Sequence, residues 1–419
     1  MRINKVALAV TALLAASQVH AAGFQVSEHS ASGLGRAFAG EAAIGDDAAS
    51  LARNPALMAT FDKAQLSVVG SYVDPDISVK GESSFITDPS NFDANDVAPA
   101  QVVPAMYYIQ PLNEKVAVGL AIYSNFGTGT EYEDDYAAGA AAGTTHIMTV
   151  NFNPNVSYRV NEKLSLGAGV SVVYTTAELE RHAGALSPIL PVPDASSSIA
   201  KMEGDGYGFG WNIGALYEFN ENNRLGASYK SEVKNELEGE FTGLSSGGKE
   251  VDGTLDLNLP SILEVSGYHK LTNKFAVSYS WQYTTWSDFG DIVGNSANCN
   301  DGTAGQCIKK SEDFNNSSRY SVGTEYYLSE AITLRAGYAY DEQAGKASLS
   351  IPDTDRQWYT AGLTYKATPA LSFDFAAALV AGKEVTFEEE LKEGNALTAS
   401  TFTSSGDAYI YSAQMNYSF

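Results

Sequence analysis

The chain has 419 residues, only 18% of them charged, with 24 Tyr, 18 Phe and 38 Gly. Its formal net charge of -24 excludes a nucleic-acid surface, which needs a basic patch. The length would serve two soluble domains or one large barrel, and abundant aromatics with few charges favour the barrel.

At the N-terminus, Arg2 and Lys5 precede an apolar run from Val6 to Ala16 and a small-residue site, Val19-His20-Ala21. This reads as an export signal over residues 1–21, with a mature chain beginning at Ala22. The run falls short of the ~20 residues a transmembrane helix needs, and no later stretch supplies one. Residues 22–61 are rich in Ala and Gly and do not alternate. Asp46 or Asp47 can cap a run through Arg53, and Asn54-Pro55 offers an N-cap followed by proline at the first helical position. So small a piece buries no core alone, and it is expected to plug the lumen of a barrel made by residues 62–419.

From about Ala64 the pattern has period two. Leu164, Leu166, Ala168, Val170, Val172 and Tyr174 alternate with Ser165, Gly167, Gly169 and Ser171. Phe275, Val277, Tyr279, Trp281 and Tyr283 alternate in the same way with Ala276, Ser278, Ser280 and Gln282. A soluble sandwich hides its apolar face, whereas a membrane barrel turns it to lipid and keeps polar groups in the lumen. In the last strand, Tyr409, Tyr411, Ala413, Met415, Tyr417 and Phe419 oppose Ser412, Gln414, Asn416 and Ser418. Because no open edge is tolerable in lipid, this strand is expected to close the barrel. Short turns at Pro111 to Glu114, Asn161 to Lys163, Asn220 to Asn223, Thr272-Asn273, Ser329-Glu330 and Thr368-Pro369 alternate with long polar loops. This predicts about 14 antiparallel strands, with both termini on the periplasmic side and the long loops outside.

Few motifs suggest chemistry. Cys299 and Cys307 lie close together in an Asn/Gly/Asp-rich segment, as a loop-stapling disulfide or as two free thiols. Gly243-Leu244-Ser245-Ser246-Gly247 matches a nucleophile pattern but lacks the strand-turn-helix that strains such a serine. His29, His146, His182 and His269 are far apart, without metal-ligand spacing. Neither an enzyme nor a cofactor or metal site is expected. The apolar stretch Leu186 to Val192 and the Ala-rich 137–142 lie in long loops, where they either form a docking groove or pack on each other.

The N-terminal stretch AGFQVSEHSASGLGRAFAGEAAIGDDAASLARNPAL (22–57) resembles the FadL family of outer-membrane long-chain fatty acid transporters. SNFGTGTEYEDDYA (124–137), GFGWNIGALYE (208–218), LEVSGY (263–268), SIPDTDRQW (350–358) and the closing NYSF extend the likeness over the mature chain. The resemblance implies a 14-stranded barrel with an N-terminal hatch. It implies that Phe24 places the N-terminus near the ligand, that Asn54-Pro55-Ala56 is a hatch motif needed for transport, and that Gly127 lies where the third strand kinks inward and opens the wall. It further implies that Ala177, Leu179, Arg181, Met202 and Lys310 line the high-affinity pocket.

The residues fit that chemistry. A fatty acid needs an apolar sleeve and a cation, and Ala177, Leu179 and Arg181 share one strand face. Lumen cations are also commonly structural, as Arg335 would be beside barrel acids, and Gly127 alone would read as a bulge glycine. The expected partners are long-chain fatty acids, outer-membrane lipid and lipopolysaccharide, bound by a monomer. Alternatives are a channel for neutral hydrophobic or aromatic compounds, a general porin, or a phage or adhesin receptor.

Overall fold

The computed structural model describes residues 23–392 and 394–419; the export signal and the expected start at Ala22 lie outside them. Alternating residues form one antiparallel sheet closed on itself. In chain order its staves are β1 (Gln65–Ser84), β2 (Gln101–Pro111), β3 with β4 (Val116–Tyr123, Gly127–Thr130), β5 (Thr144–Arg159), β6 (Leu164–His182) and β7 (Ser198–Asn220). Next come β8 with β9 (Asn223–Lys230, Val233–Gly243), β10 with β11 (Val251–Leu259, Ile262–Thr272), β12 with β13 (Phe275–Thr284, Ile292–Asn300) and β14 with β15 (Ala304–Lys310, Ser317–Tyr327). Completing fourteen are β16 (Ile332–Asp341), β17 (Arg356–Lys366), β18 with β19 (Leu371–Gly382, Val385–Glu390) and β20 (Ala399–Ser418), each pair being one stave broken along its length. No described helix is long and apolar enough to cross a membrane.

Closure falls to the final strand. β20 pairs with β1 from Ser418↔Gln65 to Ser400↔Ser84, and the Phe419 amide donates to Ala64 O at 3.0 Å. Tyr411 is 54% exposed while its neighbour Ser412 is 5% exposed, so the period of two sorts side chains between outside and lumen. The outward face carries Tyr207, Phe209, Trp211, Tyr359 and Tyr409. In water each would forgo about 1.5–3 kcal/mol of burial, which hydrocarbon restores. Inside, Ser71 and Ser412 hydroxyls meet at 2.8 Å and Ser67 donates to Asn416 at 2.6 Å across the closing seam.

The N-terminal segment fills the lumen with short helical turns, each begun by a side-chain cap. Ser30 caps Ala31–Leu34, Asp47 caps Ala48–Ala52, and Asn54 caps Pro55–Thr60 with the proline at its start. Nearly every residue from 23 to 57 is buried. Its backbone approaches the wall where the wall lacks side chains: a Cβ on Gly214 would lie 1.9 Å from Asn54 Oδ1, and one on Gly167 2.4 Å from the Ala56 nitrogen. Asn54 Nδ2 donates to Ala42 O at 2.7 Å and to Ala215 O of β7 at 3.0 Å. The Ala31 amide donates to Gln414 Oε1 of the closing strand at 2.9 Å.

Toward the short-turn end, a dense charge cluster fixes the segment. Arg36 meets Glu41 at 2.8 Å, Asp46 at 2.8 Å and Glu325 at 2.9 Å. Arg335 meets Glu325 at 2.9 Å, Asp46 at 3.3 Å and Asp374 at 3.1 Å. Such buried charges hold only when each finds several partners, as these do.

Candidate binding cleft and wall break

At the long-loop end a cleft of about 730 Å³ opens among Arg181, Leu186, Leu190, Ile199, Lys310 and Glu389. Its lining residues Ala200, Cys307 and Ile308 adjoin an apolar cluster in which Ala177, Leu179 and Met202, none of them in the cleft lining, are buried together with Phe24, Phe126, Trp286, Phe289 and Phe314. Cross-strand pairing explains the grouping: Leu179 of β6 is the register partner of Met202 of β7. Phe24 stands 4.8 Å from the Trp286 ring, 4.9 Å from Phe289 and 5.9 Å from Phe126, all edge-on. The structure thus brings Phe24, Ala177, Leu179 and Met202 together and sets Arg181 and Lys310 in the lining of the adjoining cleft. Loop residues 137–142 and 186–190 pack on each other and also contribute Ala140, Ala141, Leu186 and Leu190 to the cleft lining.

The two cations are held differently. Lys310 is ion-paired with Glu389 of β19. Arg181 donates to Thr144 O at 2.7 Å, Glu180 O at 2.8 Å, Ser350 Oγ at 2.9 Å and Thr145 Oγ1 at 3.0 Å, all neutral acceptors. Glu312, between β14 and β15, accepts from Ser348 at 3.0 Å and leaves Oε1 without a partner. Burial pushes its carboxyl up to about 7, against the pull of Lys310. Sequence reasoning missed Glu312, Glu389 and Trp286, because contacts such as Lys310 with Glu389, 79 residues apart, carry no local periodicity. Glu312 lies two residues beyond Lys310 in the CIKKSEDF segment, and its acid among lysines was the available signal.

A break in the wall lies beside the same cluster. The stave of β3 and β4 is interrupted at Ser124–Phe126; β3 pairs with β2 up to Met106↔Ile122, while β4 pairs with β5 alone. Thr149 of β5 holds the interruption, its hydroxyl donating to Phe126 O at 2.6 Å and accepting from Phe126 N at 3.2 Å. Gly127 sits at the start of β4 and is not among the glycines with positive φ, so the inward turn does not depend on glycine's conformational range. The chain's own N-terminus takes the vacated positions. Gln25 bridges Phe126, Val26 N donates to Asn125 O at 2.8 Å, and Gly127 N donates to Phe24 O at 2.8 Å.

Cys299 and Cys307 are joined, with Cα atoms 4.9 Å apart, on β13 and β14. The Ser245 hydroxyl of the nucleophile-like pentapeptide donates to Cys307 O at 2.7 Å. Among the described residues no cluster of His, Cys, Asp and Glu is arranged to hold a metal ion.

A closed barrel with an aromatic outer face, a filled lumen and an apolar cleft is the architecture of outer-membrane transporters for hydrophobic compounds. The chain belongs to the family described as outer membrane protein transport protein (OMPP1/FadL/TodX), whose model matches residues 12–419. It is 39% identical to a long-chain fatty acid transport protein of Escherichia coli O6:H1, over 99% of this chain and 98% of that one. It is also 40% identical to outer membrane protein P1 of Haemophilus influenzae, over the full length of both. Among solved structures, a Pseudomonas aeruginosa FadL homologue superposes with a TM-score of 0.82 at 23% identity, covering 95% of this chain and 100% of that chain. The Ralstonia pickettii toluene transporter TbuX gives a TM-score of 0.65 at 18% identity, covering 92% and 97%. Members of this family are non-enzymatic outer-membrane channels.

Proposed function

We propose that the chain takes up long-chain fatty acids by passive, ligand-gated diffusion, with residues 22–61 acting as the hatch. The observation that carries this reading is the cleft itself: Lys310 and Arg181 share its lining with Leu186, Leu190, Ile199 and Ile308, and the Phe24 cluster is packed next to it. In this reading the long loops face outward, both termini are periplasmic, and lipopolysaccharide surrounds the outer wall. The acid lands between the loops, its carboxylate meets Lys310 and Arg181, and its tail enters the Phe24 cluster. At ~0.8 kcal/mol per buried methylene, ten methylenes contribute about 8 kcal/mol before ordering costs, which leaves net affinity no better than roughly micromolar. Because Phe24 is both a wall of the cluster and the residue whose carbonyl accepts from Gly127, a tail that displaces Phe24 loosens the N-terminal strand from the wall break. Exit is then sideways at Ser124–Phe126, which spares the tail from crossing water. The high identity to a protein named for fatty acid transport supports the substrate class.

The test is the double change Arg181→Ala with Lys310→Ala in a fluorescence displacement assay. Affinity for oleate should fall about tenfold or more, the worth of one lost charged hydrogen bond, while oleyl alcohol binds nearly as before. Equal losses for acid and alcohol would remove the carboxylate assignment. They would favour the second reading, a channel for neutral hydrophobic compounds, which the existing partners of both cations also accommodate.

A further inference from the structure

Between the Phe24 cluster and the Arg36 charge cluster, one cross-strand row circles part of the inner wall. Its members are Glu264, Gln282, Arg319, Asp341 and Arg356, register partners in turn on β11, β12, β15, β16 and β17. All are buried. The N-terminal segment rests on this belt: Arg53 donates to Gln282 at 3.0 Å and to Glu264 at 3.4 Å, and Gln25, next to Phe24, accepts from Gln282 at 2.9 Å.

Arg36 has three carboxylates within 2.9 Å and leaves only Nε without a partner, whereas the belt leaves several donors unmet. Arg319 stacks 4.2 Å from the Trp358 ring and 5.5 Å from Phe38, with Nη1 3.5 Å from Asp341, yet Nε, Nη1 and Nη2 make no hydrogen bond. Nearby, Arg53 Nε, Arg356 Nη1 and Trp358 Nε1 also lack partners. A buried donor without a partner costs about 1–3 kcal/mol, more when charged, and native interiors rarely gather several. All of these orphans are donors, on three guanidinium groups and an indole, and the buried Glu28 carboxylate, whose attraction reaches Arg319 and Arg53, itself leaves Oε1 without a partner; a further anion would satisfy the donors that remain. A guanidinium edge matches a carboxylate bidentately, and the flanking rings of Phe38 and Trp358 suit an alkyl chain.

We propose that Arg319 is a second carboxylate station inside the lumen, which receives the acid after it leaves Lys310 and Arg181. This rests on the fatty-acid reading above. Counting staves, β15 stands half the circumference from β3 and β4, so once the N-terminal segment that fills the lumen shifts, a head held at Arg319 lets the tail lie toward the wall break. The belt thereby gives the headgroup a charged foothold below the apolar cluster, where it would otherwise be stranded.

Crystals of the unaltered protein soaked with 2-bromohexadecanoate, whose bromine sits beside its carboxylate, test this directly. Anomalous peaks are expected both in the cleft near Lys310 and beside Arg319. A peak in the cleft alone overturns the second station and leaves the fatty-acid reading standing; no peak at either place overturns that reading and the station with it. In cells, Arg319→Gln should lower labelled-oleate uptake about tenfold at equal surface expression while cleft affinity for oleate changes less than about twofold, and Arg319→Lys should restore most of the uptake. Uptake by Arg319→Gln at the wild-type rate overturns the proposal, and so does equal loss in the Gln and Lys variants, which would mark the stacked guanidinium as a structural prop. Should the Gln variant fail to fold, the bromine maps of the unaltered protein decide alone.

Discussion

The two ends of the lumen handle charge in opposite ways. Toward the short turns, Arg36 and Arg335 are locked by four carboxylates, Glu41, Asp46, Glu325 and Asp374, at 2.8 to 3.3 Å. Toward the long loops, Arg181 has only neutral hydrogen-bond acceptors, and Lys310 shares its space with Glu389 and with Glu312, whose carboxyl burial pushes up to about 7. A saturated cluster fixes geometry, because removing any member strands the others. An undersupplied one keeps attraction for an incoming anion, since neutral acceptors satisfy a guanidinium's donors without cancelling its charge. The contrast separates the part that holds the N-terminal segment from the part to which the proposed function assigns the ligand.

The sharpest way to break that contrast is Arg36→Ala. It leaves the buried Glu41 without a cation and the buried Glu325 and part-exposed Asp46 with Arg335 alone, and should cost about 3–5 kcal/mol, enough to dislodge the N-terminal segment. Planar-bilayer conductance should rise from near silence to an open channel; a silent variant would show that the cluster is not the anchor. A smaller effect is expected at Asn54. Asn54→Ala removes the cap of Pro55–Thr60 and the two bonds to Ala42 and Ala215, worth about 2–3 kcal/mol together, so amides of residues 56–60 should exchange faster while the barrel amides do not. Uniform loss of protection would mean that the segment and wall unfold as one.

The mildest test is pH. Burial raises the Glu312 carboxyl to about 7, so it is neutral below that pH and ionises as pH rises through it, placing new negative charge beside Lys310. Affinity for hexadecanesulfonate, whose headgroup keeps its charge, should therefore fall a few-fold, roughly threefold, as pH climbs through that range. Glu312→Gln should flatten the profile. A flat profile in the unaltered protein would place Glu312 outside the electrostatics of the cleft.

Much of this was legible from residues alone, for definite reasons. Strand alternation and the aromatic last strand reported the barrel because lipid and lumen impose opposite demands on neighbouring residues, as Tyr411 and Ser412 show. Asn54-Pro55 reported a helix start because capping is local. The site was only half visible. Arg181 and Leu179 were placed by strand phase together with family likeness, but Ser350, which meets Arg181, and Glu389 of β19, which meets Lys310, come from distant parts of the chain. The wall break was located near Gly127, whereas its geometry is set by Ser124–Phe126 and by Thr149, a threonine that nothing in the sequence distinguishes from its neighbours. Arg335 was read as a structural cation beside barrel acids, and it does meet Glu325 and Asp374, but its third acid, Asp46, comes from the plug.

The bond from Ala31 to Gln414 spans 383 residues and lies beside the seam where β1 meets β20. It bears on the order of assembly. The plug precedes the first stave in the chain, yet one of its contacts is with the last, so that contact forms only when the final stave is in place. Encapsulation and closure become a single late step of very high contact order, and that step should dominate the folding time. A chain truncated before β20 would then lose more than one stave: it would have neither edge to join nor anything to keep the plug in place.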